Sequence, residues 1–431
     1  MLAPFLTALA LLAGITGAAA QSAPEQPAAT QPPAATQVQP PASQAAAPPP
    51  VMMFAWMREG PADKCGDKCR EWISASGQIQ PNTARLFAEF AAKRSVGGAT
   101  VVLDSSGGSL GGAMALGRLF RRLGVTTTVG RAQKLPGTGD GEERATLSPQ
   151  GVCASMCAFV VLGGAKRHVP PEARILVHQI WPQVSRDDAV AGNYSAKDLV
   201  SVQRGLGSLA KYVVDMGGDI ELFELALRIP PWEILRPLTA AEIDRAGLRN
   251  VSDPFDPSAR VASAAPPAPT TPAVNVPAGR PLDVVDRAWA ATDAYGARAF
   301  SRRHPLTIEG EQIGSFELSF VCGDAGVSAV YLEERKPRSA TPADRVSRVG
   351  IGAGKERALL KVQSSAPEND GDLRTTAQGL VTPDFLTALA ETGGQSLVVA
   401  TQTDTNVRTA IRPGNTGFGE SFKQTVAECK K

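Results

Sequence analysis

Only three histidines occur in 431 residues, too few to supply a usual metal centre unaided. The six cysteines do not make up the shortfall. Four of them fall as Cys65/Cys69 and Cys153/Cys157, a Cys-x3-Cys spacing rather than the Cys-x2-Cys common in zinc sites. No metal and no other cofactor is therefore expected. An excess of charge of one sign is also missing. Lys and Arg number 44 against 42 Asp and Glu, a net +2, which removes the basic footprint of a nucleic-acid binder. The N-terminal apolar run, residues 1–20, lacks Lys and Arg and is short for a membrane span. No cysteine lies near its end, which argues against a lipoprotein.

That run ends in small residues, and Ala18-x-Ala20 before Gln21 fits a signal-peptidase site. The expectation is export to the periplasm or beyond, with membrane anchoring if the segment is retained. Export implies an oxidising compartment in which disulfides persist. Cys322 and Cys429 stand alone in the C-terminal half and are expected to pair. The two Cys-x3-Cys pairs could each close locally, pair with one another or stay reduced.

Glycine (42) and proline (34) are abundant, and much of the proline falls in two segments. Residues 21–50 and 254–281 are Pro/Ala-rich and cannot bury a core, so they read as a tether and a linker. They divide the chain into a folded region at 51–253 and a second one at 282–431, a length suited to two domains.

Within 51–253, Cys65–Ile73 reads as a short helical segment and Gly77–Ile79 as the end of a turn into a strand. A helix over Asn82–Lys93 and a buried parallel strand over Gly98–Leu103 follow. A helix over Ser109–Leu123 and a strand over Val125–Val129 complete an α/β crossover. Arg131–Gln150 is polar and rich in Gly and Pro, and reads as a surface loop, either an ordinary insertion or a lid beside a site. A buried helix ends near Leu162, a polar turn covers 166–171, and a strand over Ala173–His178 ends in histidine. Helices are expected over Ser195–Met216, Ile220–Arg228 and Leu238–Gly247, the last with a Thr239/Glu242 capping box. The second region reads as a small α+β domain. Its helices are expected at 282–300, 383–390 and 418–428, its strands at 315–320, 327–333, 357–362 and 396–401. His304, beside Arg302 and Arg303, reads as a solvated surface residue.

The chemistry centres on Gly151-Val-Cys-Ala-Ser-Met-Cys157, which presents a serine at the head of an apolar helix. Acyl transfer needs a nucleophile, a base and donors for the oxyanion. Ser155 can serve as nucleophile and His178 as base, since an imidazole titrates near neutrality. Gly107 and Gly108, without a Cβ, can bring a backbone N–H to the reacting carbonyl, and the Met156 N–H can be a second donor. Each feature alone has a bland reading as a cap, a tight turn or a structural histidine. Their order along the chain points to a serine hydrolase.

Residues 98–180 resemble the proteolytic subunit of the Clp protease and, more broadly, the Clp/crotonase superfamily. The resemblance rests on LDSSGGSLGGAMALGRLFRRLG, on GVCASMCAFVVLGGAKRHVPPEARILVHQ, and on a closing helix at 238–248. It is nearest the periplasmic branch with a Cys-x-Ser-x-Cys nucleophile motif. The resemblance implies stacked ββα units for 51–253, catalytic roles for Ser155 and His178, and an oxyanion hole from Gly107 or Gly108 with Met156. It implies a peptide or protein substrate and admits a homo-oligomer. The family's proline before Gly-Gly is Ser106 here. Its triad aspartate has no match near Leu235, and the carboxylates closest to that role are Glu233, Asp215 and Asp219. The expected function is an exported serine endopeptidase-like hydrolase whose C-terminal domain binds a partner in the cell envelope. The alternative is a weakly active or inactive pseudo-peptidase that serves as a peptide-binding or scaffold module.

Overall fold

Short β-branched runs alternating with amphipathic helices bury their apolar faces by stacking helices on a sheet. The computed structural model describes residues 50–136, 143–181, 188–190, 192–256, 258, 286–293, 297–336, 344–368, 371–391, 397–419 and 422. The N-terminal apolar run, the tether up to residue 49, most of the 254–281 linker and Cys429 lie outside the described residues. The protein is mixed α/β, with one sheet built largely of parallel strands and a separate antiparallel half-barrel.

The first region runs β1 (Met53–Glu59), α1 (Ala62–Cys65), β2 (Glu71–Ser76), α2 (Thr83–Ala91), β3 (Thr100–Asp104) and α3 (Leu110–Leu123). It continues β4 (Thr126–Val129), β5 (Arg131–Lys134), β6 (Arg144–Ser148), β7 (Val152–Ala154), α4 (Met156–Val161), β8 (Lys166–His168) and β9 (Arg174–Val177). It closes with α5 (Ala196–Asp215), α6 (Glu221–Leu227), β10 (Arg236–Pro237) and α7 (Ala240–Arg245). A seven-stranded sheet has the order β5-β6-β1-β2-β3-β4-β8, and β2, β3, β4 and β8 run parallel. A three-stranded sheet, β10-β9-β7, stands apart from it. Ser109 caps α3 by accepting from the Gly112 N–H at 3.1 Å, and Gly124 ends the helix at φ 64°. The capping box of α7 forms as its sequence suggests, with Thr239 and Glu242 bonded reciprocally.

Several segments depart from expectation. The helical turn near Cys65 ends early, because Glu71–Ser76 is recruited as β2 against β1. Arg131–Gln150 is not a loop. β5 and β6 form an antiparallel hairpin that lengthens the sheet, and the polar composition of β5 reflects the exposed edge it occupies. Residues 137–142 at its tip lie outside the described residues. The expected polar turn at 166–171 begins with β8, three residues drawn into the sheet by pairing with Thr126–Thr128.

The second region is mostly strand. It runs β11 (Ala290–Thr292), β12 (Ala299–Ile308), β13 (Glu311–Gly323), β14 (Gly326–Arg335), β15 (Val346–Ala353), β16 (Glu356–Pro367) and β17 (Leu373–Leu380). One helix, α8 (Pro383–Glu391), precedes β18 (Leu397–Thr403) and β19 (Arg408–Ile411). The order is β11-β12-β13-β14-β17-β16-β15-β18-β19, antiparallel throughout. The helix expected over 282–300 is absent from its described part, where cross-strand pairing of Ala290–Thr292 with Ala299–Ser301 takes precedence over helical spacing. The helix expected at 418–428 lies largely outside the described residues. The 315–320 strand is covered on both faces, since Ser315 and Ser319 are buried along with Phe316, Leu318 and Phe320. Among the described residues no helix is long and apolar enough to cross a membrane.

His304 is not on the surface. Alternation along β12 turns Arg302, His304 and Leu306 into the half-barrel, and His304 is 1% exposed. Its Nδ1 lies 2.9 Å from the Pro305 carbonyl, which can only accept, so that nitrogen carries the proton. Burial pushes its pKa down from 6.5 to about 4. The unfolded chain takes up this proton near pH 6.5, the folded protein only near pH 4. Between those values the unfolded state binds more protons. Stability is therefore full above the upper value and falls with pH through the window, by at most ~1.4 kcal/mol per unit. Urea midpoints followed through that window should decline, and His304→Phe should flatten the decline.

Candidate active site

The site is built where parallel strands β7 and β9 end together. Their register pairs Val152 with Arg174, Cys153 with Ile175 and Ala154 with Leu176. The next residues, Ser155 on one strand and Val177-His178 on the other, emerge side by side. Ser155 Oγ and His178 Nε2 lie 2.8 Å apart, within hydrogen-bond distance.

Ser155 occupies a sharp strand-to-helix turn at φ 54°, ψ −124°, a conformation that disfavours a side chain. Turns of this kind lift a nucleophile clear of its flanking elements. The strain, on the order of 1–3 kcal/mol, is offset by what surrounds the turn. The Ser155 N–H donates to the Leu176 carbonyl at 2.7 Å, and its carbonyl accepts from the Ala158 N–H at 3.1 Å. Every residue of α4 is buried. Arg121 donates to the carbonyls of Leu162, Gly163, Gly164 and Met216 and so holds the far end of that helix. The Tyr212 hydroxyl donates to the Phe159 carbonyl at 2.9 Å. A disulfide joins Cys153 to Cys157 directly across the serine turn, with Cα atoms 5.2 Å apart and both residues fully buried. A second joins Cys65 to Cys69. Cys322 is also disulfide-bonded, and its expected partner, Cys429, lies outside the described residues.

The Asp104-Ser-Ser-Gly-Gly108 turn is stitched against this elbow. The Ser105 N–H donates to the Val152 carbonyl at 2.8 Å, and the Ala154 N–H donates to the Ser105 carbonyl at 2.9 Å. Asp104 Oδ1 accepts from the Val152 N–H at 3.1 Å, while Arg131 pairs with the same carboxylate at 2.7 Å. Ser105 Oγ donates to the Gly77 carbonyl at 2.6 Å and accepts from the Gly107 N–H at 3.1 Å. With the Gly107 N–H turned inward, the Gly108 N–H is the one of the two without an acceptor among the described residues. The Met156 N–H is the first of α4, a position without an intrahelical acceptor. Asp104, Ser105 and Arg131 were not singled out from sequence. Asp104 and Ser105 sit inside the quoted glycine motif, but Arg131 is brought to Asp104 only by the hairpin.

Close approach makes glycine obligatory at 107. At φ 90° it would direct a Cβ to 2.5 Å from the Ala154 carbonyl oxygen and 2.8 Å from Ser155 Cβ. Gly107→Ala is therefore expected to destabilise the protein by roughly 1–3 kcal/mol and to displace the serine. Gly111→Ala, one turn away with nothing within 4 Å of the added methyl, should be neutral or stabilising. Urea unfolding of the two variants checks the contrast.

The three carboxylates nominated as a third partner are engaged in their own surroundings. Glu233 accepts from the Thr307 hydroxyl at 2.6 Å, the Gly310 N–H at 3.0 Å and the Glu309 N–H at 3.1 Å, all on the C-terminal sheet. Asp215 pairs with Lys211 at 2.7 Å on α5. Asp219 accepts from the Glu221 N–H at 2.9 Å at the start of α6. Among the described residues no group of three or more His, Cys, Asp or Glu side chains is placed to hold a metal ion. No family model and no curated protein matches the chain.

Proposed function

We propose that this chain is an exported serine hydrolase of the Clp/crotonase type that cleaves peptide bonds through Ser155 and His178. The observation that carries the reading is the 2.8 Å contact between Ser155 Oγ and His178 Nε2 at a strained strand-to-helix turn. A hydroxyl held there donates to Nε2, which places the resting imidazole proton on Nδ1. As Oγ attacks a substrate carbonyl, its proton passes to Nε2, and the imidazolium then gives it to the departing amine. The oxygen that gains negative charge is met by the Gly108 and Met156 N–H groups. Hydrolysis of the acyl-enzyme repeats the sequence with water as nucleophile.

Two further features support the reading. The disulfide across Cys153 and Cys157 suits an oxidising compartment and holds the serine turn by a covalent bond. The glycine turn is bonded to the elbow through Ser105, which fixes the oxyanion donors relative to the nucleophile.

A fluorophosphonate probe applied to the full chain tests the proposal. Covalent labelling that maps to Ser155 and is lost in Ser155→Ala is the expected result. A chain that circular dichroism shows to be folded but that takes no label near neutral pH would remove the hydrolase reading and leave a peptide-binding or scaffold module.

A further inference from the structure

A cavity of about 660 Å³ lies between the first region and the C-terminal sheet. Its floor is a row of small residues running across three strands: Gly350 on β15 pairs with Ala400 on β18, which pairs with Ala410 on β19. Leu359, 84% exposed, extends that row at one end, and Ile234, 45% exposed, stands on the opposite wall. Two residues along the same face runs a polar row in which Gln402 pairs with both Arg348 and Arg408. Neither arginine side chain has an ion pair or hydrogen bond among the described residues, whereas Arg236 on the facing wall is neutralised by Glu242 and Glu309. The groove thus offers apolar surface with Arg348 and Arg408 along one side and the carboxylates of Glu233 and Glu309 on the facing wall.

Its wall leads to the catalytic strand. Arg236–Pro237 is the outer strand of the three-stranded sheet, with the Arg236 main chain turned to Val177 and only the Pro237 carbonyl facing the other way. Arg236 pairs with Val177, the residue before His178. Ile229, at the groove's inner end, accepts from the Gln179 N–H at 2.9 Å. Through Arg236 and Ile229 this wall is bonded to the residues on either side of His178.

We propose that the groove binds an extended segment of polypeptide that carries large apolar side chains interspersed with acidic ones, and that it holds substrate beside the Ser155–His178 pair. The small-residue floor accepts the apolar side chains, and Arg348 and Arg408 select for acid. This assignment of substrate class rests on the hydrolase reading, but the groove's binding is measured independently of it.

The test uses the full chain with Ser155→Ala, to prevent turnover, and fluorescein-labelled peptides of alternating Leu and Glu or alternating Leu and Lys. Fluorescence anisotropy should show binding of the Leu/Glu peptide and little of the Leu/Lys peptide. Arg348→Glu combined with Arg408→Glu, and separately Ala400→Trp, which fills the floor, should each weaken the Leu/Glu peptide about tenfold or more. Circular dichroism spectra of both variants should match that of the parent, which shows that the fold is intact. Equal binding of the two peptides, or binding undiminished in both variants, would overturn the proposal. So would a wild-type oligomer that the double charge reversal dissociates, since that would assign the groove to a second copy. A parent chain that takes no fluorophosphonate label but discriminates the peptides would sink the hydrolase and keep the groove.

Discussion

His178→Ala is expected to slow acylation of Ser155 by ~10²–10⁴-fold while leaving the chain folded. A serine hydroxyl is a weak nucleophile at neutral pH, and the imidazole 2.8 Å away is its side-chain hydrogen-bond partner. Both residues are partly open to solvent, so the hydroxyl left behind keeps water as a partner and little stability is lost. The rate of fluorophosphonate labelling measures the effect, with the urea midpoint as the control for folding. A labelling rate within a few fold of the parent would show that His178 is not the base.

Asp188→Ala should destabilise the protein by roughly 3–5 kcal/mol, the range for stranding one member of a buried ion pair. Asp188 meets the Arg302 guanidinium with both carboxylate oxygens, and the Arg302 side chain has no exposed surface. The same carboxylate accepts from the Thr416 N–H at 3.1 Å. Removing it leaves a buried cation whose Nε still donates to the Asp286 carbonyl but whose terminal nitrogens lose these acceptors. Replacing both members, as Asp188→Ala with Arg302→Leu, should recover much of the loss, because the uncompensated charge goes with the arginine. Urea denaturation of the single and double variants measures this, and a single-variant loss below about 1 kcal/mol would mean that water reaches Arg302. Since Asp188 lies ten residues beyond His178, the ion pair also ties the segment after the catalytic strand to the C-terminal sheet.

The helices of the first region were legible because their signals are local. Ser109, Ser195 and Thr239 each sit one residue before an apolar-periodic run, and each caps it. The parallel strands at Thr100–Asp104 and Thr126–Val129 announce themselves by composition, since both are rich in the β-branched residues Thr and Val, which pack well on a pleated surface. Segments that become strands only by pairing were not legible. Arg131–Lys134 and Lys166–His168 are short and polar, and each owes its conformation to a partner strand. His304 misled for a related reason. Arg302-Arg-His304 looks like a charged surface run, yet strand alternation sends its first and third members into the interior, where Asp188 from far along the chain neutralises Arg302.

By itself the sequence determined the serine helix, the strand ending in His178 and the glycines at 107 and 108, because each rests on the properties of a few adjacent residues. That Ser155 and His178 meet, that Ser105 turns the Gly107 N–H inward, and that Glu233 belongs to the C-terminal sheet were decided only in three dimensions. The register of β7 against β9 and the packing of the half-barrel against the Trp232–Pro237 ribbon depend on contacts between residues far apart in the chain. Local propensity carries no information about such contacts, so the elements of the site could be read from the sequence while its assembly could not.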